Sequence, residues 1–223
     1  MKLKKISTYS LIGLTLFSCK NEDSIVPVDD EKMKSNYEIE CQLVENGQEF
    51  FARILSKAVA NSKELRGFIK NEAIKKFDMD YDLLYHKTRN KEVIDGLTFR
   101  DIILANIITE EEKAQFLQIE NNLPLLTIYI PNLLNITGFS ADSWDISNEQ
   151  IAVAYELDKN TNVYENGEIV GFIEKGMIPD FPILYIKENT KLSVNNKIET
   201  RSNEFHFSYN FITSIYTFTL IHS

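Results

Sequence analysis

Cysteine and histidine are both scarce in this chain, which limits the chemistry it can carry out. Its 223 residues include two cysteines, Cys19 and Cys41, and three histidines, His86, His206 and His222. The histidines are scattered and form no HExxH motif, so the sequence predicts no zinc site. Zinc-dependent hydrolysis is therefore not expected.

Glycine is also rare, and none of the eight glycines belongs to a GxGxxG or GK[ST] phosphate-binding motif. The segment Gly138–Asp142 comes close to the GxSxG nucleophile elbow around Ser140. However, Asp142 occupies the position where a second glycine would allow the sharp turn. No histidine and acid are paired with Ser140 by spacing, so we assign no catalytic residue and no cofactor.

Basic residues are outnumbered by acidic ones, 24 to 33, which gives a formal net charge of −9. Residues 1–18 hold three of the lysines and no acid, so their removal makes the chain still more acidic. Nucleic acid is therefore not an expected partner, and the protein's own charge does not attract anionic lipid.

The apolar run Ile6–Phe17 is too short to cross a bilayer. As a helix, about twelve residues reach roughly 18 Å, whereas the hydrocarbon core is about 30 Å thick. A lysine-rich start precedes this run and Ser18 follows it. Residues 1–18 are therefore predicted to be a secretory signal peptide.

The residues before the predicted cleavage point do not suit an ordinary signal peptidase, because Leu16 is large where a small residue is needed. Leu16-Phe17-Ser18-Cys19 instead resembles the lipobox of bacterial lipoproteins. The resemblance implies that a diacylglycerol is attached to the thiol of Cys19 and that a dedicated peptidase cleaves before this residue. The implied partner is therefore a membrane, to which acyl chains on Cys19 attach the protein. Cys41 then has no partner for an internal disulfide.

Residues 19–36 are predicted to form a lipidated tether, because they are polar, charged and without periodicity. The segment Lys20–Asp23 resembles the acidic export tag of some surface lipoproteins of Gram-negative bacteria. Lys20 also departs from the aspartate that favours retention in the inner membrane. These resemblances imply an anchor in the outer membrane, with the protein facing either the periplasm or the cell surface.

Residues 37–123 are predicted to be helical, with four short helices. From Gln48 onward, apolar residues recur at spacings of three and four. Three pairs of residues have the spacing of a capping box at a helix start: Asn61 and Glu64, Thr98 and Asp101, and Thr109 and Glu112.

Residues 124–223 are predicted to be rich in strands. Leu125–Ile130, Ile151–Leu157 and Ile183–Ile186 have strand composition, and Asn166-Gly167 predicts a two-residue hairpin. The order of elements indicates an α+β fold, in which N-terminal short helices pack against or beside a C-terminal antiparallel β-rich region. The two regions form either one domain or two.

The last residues, 203–223, are unusual because Phe205–Ser223 contains no Asp, Glu, Lys or Arg. Two hypotheses remain open for this segment. It is either the closing hairpin of the sheet, or the product of a truncation or frameshift near Arg201 relative to longer relatives.

Asp78, Asp80 and Asp82 form a DxDxD run that resembles the start of an EF-hand calcium loop. That loop needs glycine at its sixth position and glutamate at its twelfth, where this chain has Leu83 and Arg89. The three aspartates are therefore retained only as candidate metal ligands. The interpretation adopted is a helix end whose carboxylates lie in water.

The only tryptophan, Trp144, lies between two acidic residues, Asp142 and Asp145. An aromatic face flanked by carboxylates can stack on and hydrogen-bond a sugar or peptide, which makes these three residues candidate ligand contacts. The alternative is that Trp144 covers the hydrophobic core.

These features together predict a lipid-anchored protein of the cell envelope, a non-catalytic binding or structural module. The alternative is a fragment of a secreted hydrolase that acts on peptide or glycan, with its site missing or unrecognised. An accessory lipoprotein of an outer-membrane transporter is a third hypothesis.

Overall fold

A computed structural model describes residues 30–156, 159–195, 206–209 and 217–219 of the chain. Within these residues short helices and strands form an α+β fold, with helices N-terminal to most of the sheet, as the sequence predicts. The predicted signal peptide and Cys19 lie outside the described residues.

The helices within the described residues differ widely in length. They are α1 (Asp30–Asn61), α2 (Lys63–Ile74), α3 (Tyr85–Thr88), α4 (Phe99–Ala105), α5 (Glu110–Asn122) and α6 (Leu134–Thr137). The four predicted helices correspond to α1, α2, α4 and α5, but the first of them is longer than predicted, with 32 residues. This helix starts inside the segment that the sequence marks as a tether, so residues 30–36 are helical.

The strands form one large sheet and two small ones. They are β1 (Asp82–Leu84), β2 (Glu92–Ile94), β3 (Leu97–Thr98), β4 (Leu126–Tyr129), β5 (Ala152–Tyr155), β6 (Thr161–Glu165), β7 (Glu168–Ile173), β8 (Ile183–Glu188), β9 (Leu192–Asn195), β10 (His206–Tyr209) and β11 (Thr217–Thr219).

The large sheet has the strand order β1-β4-β8-β5-β6-β7. Its neighbouring strands are antiparallel except for β5 and β8, which are parallel. The sheet is therefore mixed, not antiparallel as predicted. A parallel pair needs a long crossover, and the β6–β7 hairpin lies in the connection between these two strands.

Local sequence signals account for several of the element boundaries. Thr98 and Thr109 each accept a hydrogen bond from the backbone three residues on, and both predicted capping boxes are present. The predicted box at Asn61 is wrong by one residue, because Ser62 is the N-cap of α2 and accepts from the backbone N–H of Leu65. The Asn61 side chain donates instead to the carbonyl oxygen of Lys57.

The larger of two hydrophobic clusters in the described residues contains residues of both predicted regions. Phe51, Ile54 and Leu55 of α1 are fully buried, and α1 packs against β5, β6 and β8. Every residue of β5 is buried, so this strand is covered on both faces. Because β1 pairs with β4, the helical region also supplies an edge strand of the sheet.

Strands β9, β10 and β11 form a separate antiparallel sheet in which β10 lies between β9 and β11. Strands β10 and β11 thus pair with each other, as expected for a closing hairpin, but their sheet includes β9 and is separate from the large sheet. Truncation near Arg201 stays a hypothesis.

Candidate functional site

The three aspartates of the DxDxD run lie together where the chain enters the edge strand β1. One oxygen atom from each of Asp78, Asp80 and Asp82 lies within 4.8 Å of the others. Asp78 and Asp82 are buried, and only Asp80 is partly exposed. The interpretation of carboxylates in water is therefore wrong for Asp78 and Asp82. We call these three residues the carboxylate cluster.

The register of the large sheet explains why Lys187 lies next to the carboxylate cluster. Asp82 on β1 is paired with Tyr129 on β4, which is paired in turn with Tyr185 on β8. Lys187 is two residues beyond Tyr185 and so points to the same face of the sheet as Asp82. Its ammonium nitrogen lies 4.2 Å from the ring centre of Tyr129 and 3.9 Å from Oδ2 of Asp82.

Asp78 is held by hydrogen bonds on both of its carboxylate oxygens. Oδ1 accepts from the backbone N–H of Asp80 at 3.0 Å, and Oδ2 accepts from the side-chain amide of Asn189 at 2.7 Å. Asn189 is itself buried in the connection between β8 and β9. The orientation of Asp78 is therefore fixed by a residue far away in the sequence.

Lys191, in the same connection, brings a second ammonium group to the cluster. Its Nζ lies 2.7 Å from Oδ2 of Asp80 and donates to the backbone carbonyl oxygen of Asp78 at 3.0 Å. The side chain is 37 % exposed, so one side of this ion pair faces water. Lys191 thus binds two oxygen atoms of the cluster at once.

Asp82 differs from the other two aspartates because no N–H group or hydroxyl in the described part of the chain donates to its carboxylate oxygens, and its side-chain hydrogen bond is with the carboxylate of Asp78. The side chain is 0 % exposed. Burial, followed by the negative charge of Asp78, raises the pKa of Asp82 to about 8, although Lys187 opposes the shift. The carboxyl group is thus mostly protonated at pH 7.

Of the three candidate ligand contacts, Trp144 is packed in the interior and does not present its ring to solvent. Trp144 is 3 % exposed and packs edge-to-face on Phe139, with ring centres 5.9 Å apart. Asp142 accepts a hydrogen bond from the hydroxyl of Tyr81, and Asp145 accepts from the backbone N–H of Ser147. The packing favours the alternative in which Trp144 covers the core.

Other polar residues noted in the sequence also make contacts within the fold. Ser140 shares a hydrogen bond of 3.0 Å with the hydroxyl of Ser143. His86 is buried, and its Nε2 lies 2.5 Å from the backbone oxygen of Glu120. The described part of the chain does not place a histidine against Ser140.

A buried ion-pair network around Glu120 has no signal in the sequence. The carboxylate accepts a hydrogen bond of 2.9 Å from the hydroxyl of Tyr85. It also accepts hydrogen bonds from the Nε and Nη2 atoms of Arg100. Arg89 lies 3.6 Å away. Glu120 lies in a polar helix, where nothing distinguishes it from the solvated glutamates nearby. The network links α5 to α3 and α4.

Among the described residues, no helix is both long and apolar enough to cross a bilayer. No protein-family model, curated protein or solved structure matches this chain.

Proposed function

We propose that this protein is a non-catalytic binding or structural module that is anchored by lipid to the cell envelope. The observation that carries the proposal is the segment Leu16-Phe17-Ser18-Cys19, which follows a short apolar run and resembles a lipobox. Cysteine is required at that position because its thiolate is a strong nucleophile that can accept the lipid.

Ser140 and His86 are polar residues that could suggest catalysis. Their contacts support the non-catalytic part of the proposal. Ser140 bonds to Ser143, and His86 contacts the backbone of Glu120. Each side chain therefore has a structural partner. Trp144 likewise contributes its ring to packing. These contacts favour a folded module over the alternative of a hydrolase fragment.

The strength of the anchor follows from the number of acyl chains. Each buried methylene contributes about 0.8 kcal/mol, and a single chain holds a protein only marginally. The lipoprotein pattern implies several chains on Cys19, which makes spontaneous release negligible. The ten residues 20–29 separate Cys19 from α1. Fully extended, they span at most about 35 Å, so the folded body stays close to the membrane.

The anchor can be tested by exchanging each cysteine separately. Cys19→Ser removes the proposed lipidation site, whereas Cys41→Ser removes the other thiol and serves as the matched control. In a Gram-negative host, we expect the wild type and Cys41→Ser to be extracted from outer membranes only by detergent. Cys19→Ser should lose this behaviour and should no longer incorporate labelled palmitate.

Two outcomes would contradict the proposal. If Cys19→Ser fractionates with outer membranes and incorporates label as the wild type does, the lipid is not on this residue. Turnover of peptide or peptidoglycan fragments by the purified protein would favour the hydrolase alternative.

A further inference from the structure

A small cavity lies between the end of α2, strand β1 and α3. Its volume is about 160 Å³, and the apolar part of its lining comes from Phe77, Leu83 and Leu84. Phe77 packs with Leu84 in the smaller of the two hydrophobic clusters. An engineered apolar cavity of about 150 Å³ holds benzene, so this cavity has room for a single ring or a short alkyl chain.

The charged residues that line this cavity are mainly basic, although the whole chain is acidic, with 24 basic and 33 acidic residues. They are Lys75, Lys87 and Lys91, together with the acidic residue Glu72. Three positive charges and one negative charge leave an excess of +2 among these residues. The side chains of Lys75 and Lys91 are 58 % and 43 % exposed, so water reaches the cavity from the side of these lysines.

Glu72 offsets only part of this positive charge. Its Oε1 lies 2.5 Å from Nζ of Lys75, and its Oε2 lies 2.8 Å from Nζ of Lys91. Burial would raise the pKa of Glu72, but the hydrogen bonds from these two lysines lower it below its ordinary value. Glu72 is therefore ionised at neutral pH and contributes a single negative charge, which two ammonium groups share.

Lys87 lies where a positive charge is disfavoured. Its side chain is half-buried, and its ammonium nitrogen lies 4.8 Å from the ring centre of Phe77. Burial, followed by the positive charge of Lys91, lowers the pKa of Lys87, although Glu72 and Asp78 oppose the shift. An anion bound beside Lys87 would offset the repulsion between the lysines and would stabilise the charged form of the amine.

The combination of ammonium groups and apolar side chains suits a ligand that has both an anionic and an apolar part. Lysine donates charge-assisted hydrogen bonds to a carboxylate, and the apolar lining favours a ligand that removes it from water. Inorganic phosphate would leave the apolar lining without a contact. A neutral ring would leave the excess positive charge without a counterion.

From this arrangement we infer that the cavity binds a small organic acid, whose carboxylate contacts Lys87 and Lys91 and whose apolar part packs on Phe77 and Leu84. The inference rests on the binding role in the proposed function, to which it gives a ligand class. It does not depend on the lipid anchor.

The test is calorimetric titration of the full-length protein, in a non-ionic detergent, with benzoate as the probe. We expect one site with a Kd below about 1 mM, an ordinary affinity for a ligand of this size. Benzamide has the shape of benzoate without its charge, and acetate has the charge without the ring. Each should bind at least tenfold more weakly than benzoate. Equal binding of benzamide and benzoate would overturn the role of the lysines, and no heat up to about 20 mM benzoate would overturn the site.

Lys87→Met gives the most specific test, because it keeps the length of the side chain and removes its charge. We expect it to weaken benzoate binding at least tenfold. Lys91→Met, at an exposed position, should also weaken binding. Lys113→Met removes an equal charge from α5, where Lys113 pairs with Glu110 and does not line the cavity, so it should leave the Kd unchanged.

Equal Kd values for Lys87→Met and Lys113→Met would overturn the assignment of the ligand to this cavity. Melting curves of the three variants show whether each one is folded. None of the three substitutions touches Cys19, so all three variants should fractionate with membranes as the wild type does. Failure of the acid site is therefore distinguishable from failure of the lipid anchor.

Discussion

The ammonium group of Lys70, on α2, donates a hydrogen bond of 2.7 Å to the backbone carbonyl oxygen of Trp144. Arg66 lies one turn earlier on the same helix face, and its Nε donates to the carbonyl oxygen of Ile146 at the same distance. Two bonds from one helix therefore hold the loop that carries Trp144 over the core. The conformation of this loop is set by α2 and needs no ligand.

Replacement of Trp144 tests whether its ring serves the core or a ligand. Trp144→Ala should lower the free energy of unfolding by about 3–5 kcal/mol, because it leaves a large cavity. Trp144→Phe should cost clearly less, since the indole N–H has no partner in the described part of the chain. Urea denaturation measures both changes. Loss of binding to a glycan or peptide array in Trp144→Phe, with stability little changed, would favour the ligand hypothesis.

Arg66 is a buried cation whose replacement should be severe. Its Nη1 donates to the carbonyl oxygens of Val59 and Ala60 at the end of α1, in addition to the bond to Ile146. Arg66→Met would leave these three acceptors without their donor, and we expect a loss of about 3–5 kcal/mol in the free energy of unfolding. Lys70→Met removes one bond and should cost about 1–2 kcal/mol. Equal losses for the two variants, by chemical denaturation, would argue against this role.

The burial of Asp82 predicts an unusual dependence of stability on pH. The pKa of Asp82 is about 8 in the folded protein, against an ordinary value of about 4 for aspartate. Below pH 4 both states are protonated, and between these values only the unfolded chain loses the proton. The free energy of unfolding should therefore fall as pH rises from about 4 to about 8, by up to about 1.4 kcal/mol per pH unit from this group.

Asp82→Asn removes this titration and is the matched variant for the measurement. We expect it to be more stable than the wild type at pH 7 and to lack this part of the slope. Urea denaturation at a series of pH values measures both curves. The other charged groups that face Asp82 are the same in both proteins, namely Asp78, Asp80, Lys187 and Lys191. Parallel curves would contradict the assignment.

The edge strand β7 exposes apolar side chains, and neighbouring residues allow a matched comparison. Phe172 is 57 % exposed, whereas Ile173 is 8 % exposed and belongs to the core. Phe172→Ser should change the free energy of unfolding by less than about 0.5 kcal/mol, while Ile173→Ser should cost about 2–4 kcal/mol. Thermal and urea denaturation measure both changes. A large loss of unfolding free energy in Phe172→Ser would show that the exposed ring has a structural partner.

Features that depend on a few neighbouring residues could be predicted from the sequence. The capping boxes at Thr98 and Thr109 are of this kind, because each is closed within one turn. So is the hairpin at Asn166-Gly167, where both residues have positive φ and Glu165 pairs with Glu168. Interactions between neighbouring residues determine these features, which do not depend on the rest of the chain.

Features that depend on distant pairing could not be predicted in this way. Asp82 becomes buried only because β1 pairs with β4, more than forty residues later, and the hydrogen bond from Asn189 to Asp78 spans 111 residues. The DxDxD run is visible in the sequence, but its burial is not. Similarly, every residue of β5 is buried, which the strand composition of Ile151–Leu157 does not show, because this burial depends on packing against elements such as α1 from a distant part of the sequence.

The most direct test of the lipid anchor is the intact mass of the protein extracted from membranes with detergent. The account predicts a chain that begins at Cys19 and carries the additional mass of a diacylglycerol and an amide-linked acyl group. A mass that corresponds to an unmodified chain, whether it retains residues 1–18 or has been cleaved elsewhere, would contradict it.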